Sequence, residues 1–187
     1  ALGGTVEDTD YEDYEWILGI NLWGVVYGTK AFLPLIKASG EEGHVINVSS
    51  VFGLFSQPTQ IGYNMSKFAV RGFTESLRQE LDLAGGKVSC TCVHPGGIKT
   101  NIARNARMNR SVENLTGSAS AEKMRSQFEA LFMTTAQQAA RVILAGVKAD
   151  KRRVLIGADA RVLDLLQRSL PVSYQRLVAG TFKLAGR

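Results

Sequence analysis

An α/β fold with a parallel sheet covered by helices follows from three observations on this 187-residue chain. Helix and strand patterns alternate along the first half of the chain, the order that builds a parallel sheet with helices packed on it. The two clearest strands, GHVINVSS and KVSCTCVHP, are short β-branched runs beside glycines, as buried parallel strands are. No internal repeat and no linker interrupts the pattern, so the chain reads as one domain.

The elements follow in order. TDYEDYEWILGINLWGVVYGTKAFLPLIKAS sets Trp16, Ile17, Ile20, Trp23, Val26, Tyr27 and Phe32 at helical spacing and predicts one long helix. Thr9 or Asp10 caps it, acidic residues crowd its first turn as the helix dipole favours, and Gly40 closes it. GHVINVSS is then a buried strand ending at two serines. Residues 62 to 83 form a second helix with the apolar stripe Phe68, Val70, Phe73, Leu77 and Leu81, stopped at Gly85 and Gly86. KVSCTCVHPGG is the next strand, ended by Pro95. Residues 101 to 133 are polar and irregular, with a helix expected from about residue 121 to 133, and a stretch of this length suits a lid. TTAQQAARVILAGVKAD is a capped amphipathic helix, RRVLIG a strand, and the tail two short amphipathic helices separated by Pro171.

Composition narrows the classes. Hydrophobic residues at 45% and charged residues at 21% describe an ordinary folded chain and argue against disorder. No apolar run approaches the roughly 20 residues that span a bilayer, and ALGGTVEDTD has neither the basic flank nor the apolar centre of a signal peptide. A cytoplasmic location is expected. Cys90 and Cys92 alternate on one strand, a spacing that suits neither a disulfide framework nor a metal site, and both read as packing residues. Residues 101 to 187 carry 15 Lys and Arg against 6 Asp and Glu. These charges are dispersed and have no interleaved aromatics, so nucleic acid is not an expected partner. The extension from 151 to 187, with 8 basic and 2 acidic residues on amphipathic helices, has the makeup of a membrane-surface segment. Packing of its apolar faces on the domain is the preferred reading.

Tyr63 and Lys67, in YNMSK, stand at i and i+4 on one face of the second helix. A phenol titrates near 10, and a nearby ammonium favours the phenolate, making tyrosine a usable acid or base. Ser50 ends a strand and offers a hydroxyl to hold a carbonyl or alcohol oxygen beside the phenol. Both this strand and the one ending in VHPGG would present their carboxyl ends, where open parallel sheets bind ligands. Pro95, Gly96 and Gly97 turn the backbone sharply and leave amides free to approach a flat ligand. His44 and His94 have no carboxylate or serine partner at informative spacing and read as non-catalytic.

Asn21 in INLWGV, Ser50, YNMSK at 63 to 67 and PGGIKT at 95 to 100 together resemble the classical short-chain dehydrogenase/reductase family. The resemblance runs from residue 1 to about residue 100. It implies a Rossmann-like parallel sheet with helices on both faces and hydride transfer between NAD or NADP and an alcohol or carbonyl. In that reading Tyr63 is the general acid/base, Lys67 lowers its pKa and binds the nicotinamide ribose, Ser50 positions the substrate oxygen, and Asn21 holds a water serving Lys67. Tyr63, Lys67, Pro95, Gly96, Ile98 and Thr100 would contact the cofactor. A homodimer or homotetramer through the helices of Asn21 and Tyr63 is likewise implied.

The family opens with a strand, a glycine-rich turn and a helix facing the pyrophosphate. No such stretch stands in this chain, so the N-terminal strands are expected to be missing. The chain then reads as a C-terminal fragment, one partial domain over 1 to 187, inactive alone and silent on NAD against NADP. Phe52, Leu54 and Phe55, with Ile102, Met108, Leu115, Phe128, Phe132 and Met133 from the lid, imply an apolar substrate. The alternative is a binding or scaffold protein that kept the fold without catalysis.

Overall fold

The computed structural model describes residues 1–116, 126, 129, 130 and 132–185. Of the helix expected near 121 to 133, residues 126, 129 and 130 are helical and most others, Phe128 among them, lie outside the described residues.

A two-residue strand β1 (Leu2–Gly3) leads to α1 (Tyr11–Leu18) and α2 (Gly24–Ala38). The predicted long helix is present but not uniform, because a π-turn over Gly19–Trp23 joins its two halves. There the Gly24 N–H reaches back five residues to the Gly19 carbonyl, which inserts one residue into the ladder and swings Asn21 toward the neighbouring helix. Gly40 ends the run in the left-handed region, at φ +72°.

β2 (Gly43–Val48) runs into a 3-10 turn at Val51–Gly53, followed by α3 (Ile61–Ala84) and β3 (Val88–Pro95). Gly85 caps α3 in the left-handed conformation, at φ +63°. Along α3 the residues Val70, Leu77 and Leu81 are buried while Phe68 stays partly exposed, and each full burial contributes roughly 1.5–3 kcal/mol. The remainder comprises β4 (Ile98–Lys99), β5 (Arg107–Met108), α4 (Ser111–Thr116), β6 (Thr134–Thr135), α5 (Ala136–Lys148), β7 (Arg153–Ile156), α6 (Ala158–Ser169) and α7 (Tyr174–Ala185). Thr135 and Gln138 close a reciprocal capping box at the start of α5.

The main sheet has the order β2-β3-β7, all parallel, with Val48 opposite Val93 and Val93 opposite Val154. Strand side chains alternate between faces. Val88 and Cys90 therefore meet α2 and α3 through Leu33, Ile36, Leu77 and Leu81, while Val93, Val154 and Ile156 meet α5 through Ala139 and Ile143. Helices thus cover both faces, and Cys90 and Cys92 are buried free thiols.

One expectation needs correction. The strand read as buried, β2, exposes Ile46 and Val48 at 38% and 45%. Among the described residues it is an edge strand, and the helix on that face, α5, packs on β3 and β7. At the amino ends of the strands, Arg78 donates to Asp150 through both terminal nitrogens at 2.8 and 2.6 Å and to the Cys90 carbonyl at 3.1 Å. That brace ties α3 to the turn before β7.

Candidate active site

The carboxyl ends of β2 and β3 lie side by side because the pairing sets each β2 residue beside the β3 residue 45 positions later. Ser49 makes the last ladder contact, its N–H donating to the Val93 carbonyl at 2.8 Å. Ser50 then leaves the sheet in extended conformation and caps the 3-10 turn, its Oγ accepting from Phe52 N at 3.1 Å and its carbonyl from Gly53 N at 2.9 Å. Gly53 lets this turn rest on α3: a Cβ there would stand 2.7 Å from the Lys67 carbonyl oxygen and overlap Ser49 Oγ.

Tyr63 lies one turn into α3, behind Thr59, a non-glycine residue held in the left-handed region at φ +65°. Its ring is 7% exposed, packed among Leu2, Ile17, Val51 and Phe52, and Phe52 meets it edge-on with centroids 6.1 Å apart. Lys67, half-buried, donates from Nζ to the Val48 carbonyl at 3.1 Å and stands 5.7 Å from the centre of the Tyr63 ring. Ser49 Oγ donates to the Lys67 carbonyl at 2.8 Å. Ser50, Tyr63 and Lys67 are therefore brought together at the end of the sheet where the sequence expects them.

The electrostatics differ from the expectation. Burial pushes the Tyr63 phenol above its ordinary value, and the facing Ser50 hydroxyl, not the Lys67 ammonium, works the other way. Lys67 is lowered to about 8, again by burial. Both shifts arise because the charged form loses water that the surrounding apolar side chains do not replace.

Asn21 stands behind this centre: its Nδ2 donates to Ser66 Oγ at 3.0 Å, and Ser66 Oγ donates to the Tyr63 carbonyl at 2.8 Å. It thus contacts α3 through Ser66. Pro95 closes β3, and the Gly96 N–H donates to the Ile156 carbonyl at 2.9 Å. Ile98 is half-buried in β4, and Thr100 is exposed with its Oγ accepting from Ile102 N at 3.4 Å. Of the apolar residues expected to line the site, Phe52 flanks Tyr63, whereas Leu54 and Phe55 are buried within the protein. Phe55 packs on Tyr174 of α7 with ring centroids 4.8 Å apart, and Ala160 of α6 is fully buried. The C-terminal helices therefore pack on the domain through Ala160, Leu163, Leu166, Tyr174 and Val178, whereas Val162, Leu165 and Leu177 stay exposed. Among the described residues no helix is long and apolar enough to cross a membrane, and no metal-ligand cluster is present.

Two contacts escaped sequence reasoning. His94, buried at 0% exposure, lies with Nδ1 2.9 Å from the Ser50 carbonyl oxygen. Asp159 of α6 accepts from the Gly97 N–H at 2.6 Å, holding the glycine turn. The signal for His94 is the strand register, which spacing along the chain does not reveal.

Comparison with known proteins shows the family and the fold. The family profile described as short chain dehydrogenase matches residues 2–111. This chain belongs to that family. SadH of Mycobacterium tuberculosis, an oxidoreductase by name, is 46% identical over 179 residues, covering 96% of this chain and 62% of SadH. A short-chain dehydrogenase/reductase from Burkholderia phymatum, solved with NAD, superposes with a TM-score of 0.80 at 26% identity, covering 92% of this chain and 63% of its own. Another from Burkholderia cenocepacia, solved with NADP, gives 0.68 at 25% identity, with 95% and 64% covered. The short-chain dehydrogenase chain so defined spans less than two thirds of the length of these relatives.

Proposed function

We propose that the protein is an NAD- or NADP-dependent oxidoreductase that interconverts an alcohol and a carbonyl on an apolar substrate, with Tyr63 as general acid/base. The observation that carries this reading is the convergence of Ser50, Tyr63 and Lys67 at the carboxyl ends of β2 and β3. The relatives solved with NAD and with NADP support a nicotinamide cofactor without choosing between them.

The residues present fit the nicotinamide end of such a cofactor. A half-exposed ammonium and a phenol share one helix face beside a Pro-Gly-Gly turn at the same end of the sheet. Lys67 would meet the ribose, and the backbone from Pro95 to Ile98 with Thr100 would meet the carboxamide. The bound cofactor supplies a hydride acceptor or donor. Ser50 Oγ accepts from Phe52 N and its hydroxyl faces the Tyr63 phenol, so its hydrogen would turn from the phenol to a substrate oxygen bound between them. Tyr63, kept protonated at neutral pH by burial, is set to give its proton to that oxygen during reduction, and in oxidation its phenolate form, reached at alkaline pH, would take the alcohol proton. Phe52 shields the phenol from water on one side. Homodimeric or homotetrameric assembly and a cytoplasmic location belong to the same proposal.

Replacing Tyr63 by Phe in the intact gene product tests the reading. Removal of the hydroxyl should lower kcat by about 10²-fold or more, the scale of acid-base catalysis. Unchanged turnover would leave the scaffold alternative in its place.

A further inference from the structure

We infer that His94 is a positioning residue that holds Ser50 in place beside Tyr63 by donating from Nδ1 to the Ser50 carbonyl. This inference rests on the reading of Ser50 and Tyr63 as the reaction centre.

A carbonyl oxygen only accepts hydrogen bonds, so the 2.9 Å contact requires the proton on Nδ1. Burial, with Arg153 and Arg71 adding to it, lowers His94 to about 4 despite the Ser50 bond, so the ring is neutral and carries that single proton. Nε2 is then a buried acceptor, and it has no partner among the described residues. An orphaned buried acceptor is a cost that an aliphatic side chain in the same space would avoid. What offsets the cost lies on the other nitrogen.

The ladder between β2 and β3 ends at Ser49. Beyond it, the backbone bonds of Ser50, Gly53 and Leu54 are internal to the 3-10 turn, and bonds of that kind fix its shape but not its placement on the sheet. The imidazole supplies the missing tie, from the end of β3 to the first residue of the turn. With its carbonyl held by two donors and its Oγ accepting from Phe52 N, the Ser50 hydroxyl is kept facing the Tyr63 phenol. His94 touches none of the reacting atoms and acts through Ser50.

The test uses the intact protein as wild type, H94L and H94N, because an asparagine amide restores a donor close to the place of Nδ1. Nitrogen NMR of histidine-labelled wild type should show His94 as the Nδ1–H tautomer at neutral pH, and the opposite tautomer overturns the inference. In nicotinamide-dependent oxidation of cyclohexanol, H94L should lose about tenfold or more in kcat with the cofactor KM unchanged. Its pH limb assigned to Tyr63 should move to higher pH, since the opposing Ser50 hydroxyl is no longer in place, and H94N should recover both. The Tyr63 limb is also read without substrate by NMR titration of ring-labelled tyrosine. If H94L only melts at a lower temperature while the limb stays put, His94 is a packing residue and the inference fails. Should H94L not fold, the tautomer and the H94N limb still decide. Loss of turnover in Tyr63→Phe alongside an unaffected H94L defeats this inference alone, whereas an active Tyr63→Phe enzyme defeats the functional reading beneath it.

Discussion

Asn21 Nδ2 donates to Ser66 Oγ at 3.0 Å, and the same oxygen donates to the Tyr63 carbonyl at 2.8 Å, so the π-turn and α3 are joined directly behind the acid/base candidate. Ser66 is completely buried. Asn21→Ala should therefore cost about 1 kcal/mol, the net value of one such hydrogen bond. Urea unfolding at neutral pH measures it, and an unchanged midpoint would show that the contact contributes nothing.

Gly53→Ala should destabilise the chain by roughly 1–3 kcal/mol, the usual cost of overpacking. Its Cβ would press 2.7 Å from the Lys67 carbonyl oxygen, and helix backbone cannot step aside as a flexible side chain does. Thermal melting of the variant reads the loss. Gly72, with open space around its Cβ position, is the control that should tolerate alanine.

The brace at the far end of the sheet makes an acid-side prediction. Asp150 is held down to about 2, first by its hydrogen bond from Arg78 and then by that from Ser89. Because its folded value lies below its unfolded one, this group stabilises the fold above about pH 4 and loses that contribution as pH falls toward 2. Asp150→Asn should flatten the dependence of stability on pH in that window. Chemical denaturation of wild type and variant across the window compares them directly.

Lys67 acts with the opposite sign. Its folded value of about 8 lies below the ordinary lysine range, so between 8 and 10.5 the unfolded chain binds more protons than the folded one. Stability from this group therefore rises with pH through that interval. Buried thiols and phenols oppose it there, so the Lys67 term is isolated as the difference between wild type and Lys67→Met. A difference that stays flat from pH 8 upward would place the ammonium in water.

Cys90 and Cys92 are pushed up by burial to about 11 and about 12 and are 0% and 1% exposed. Thiolate is the reactive form. Native protein at mildly alkaline pH should show no fast-reacting thiol toward a disulfide reagent, and both should appear on denaturation.

Much of this was legible along the chain because it depends on neighbours in sequence. The spacing of Tyr63 and Lys67 placed them on one face of α3, Gly85 ended that helix, and Pro95 ended β3. Local backbone geometry dictates such features. The π-turn escaped because Gly19 and Gly24 are compatible with an ordinary helix. The exposure of Ile46 and Val48 escaped because a β-branched run reads alike at the edge and the centre of a sheet.

By itself, then, the sequence determined the alternation of elements, the residue types able to move a proton, and the family those motifs resemble. Only the tertiary structure decided that burial governs the Tyr63 phenol, that Asn21 reaches Ser66, and that His94 meets Ser50 across 44 residues. Those contacts depend on strand register and on which side chains exclude water, and both are properties of segments brought together by folding.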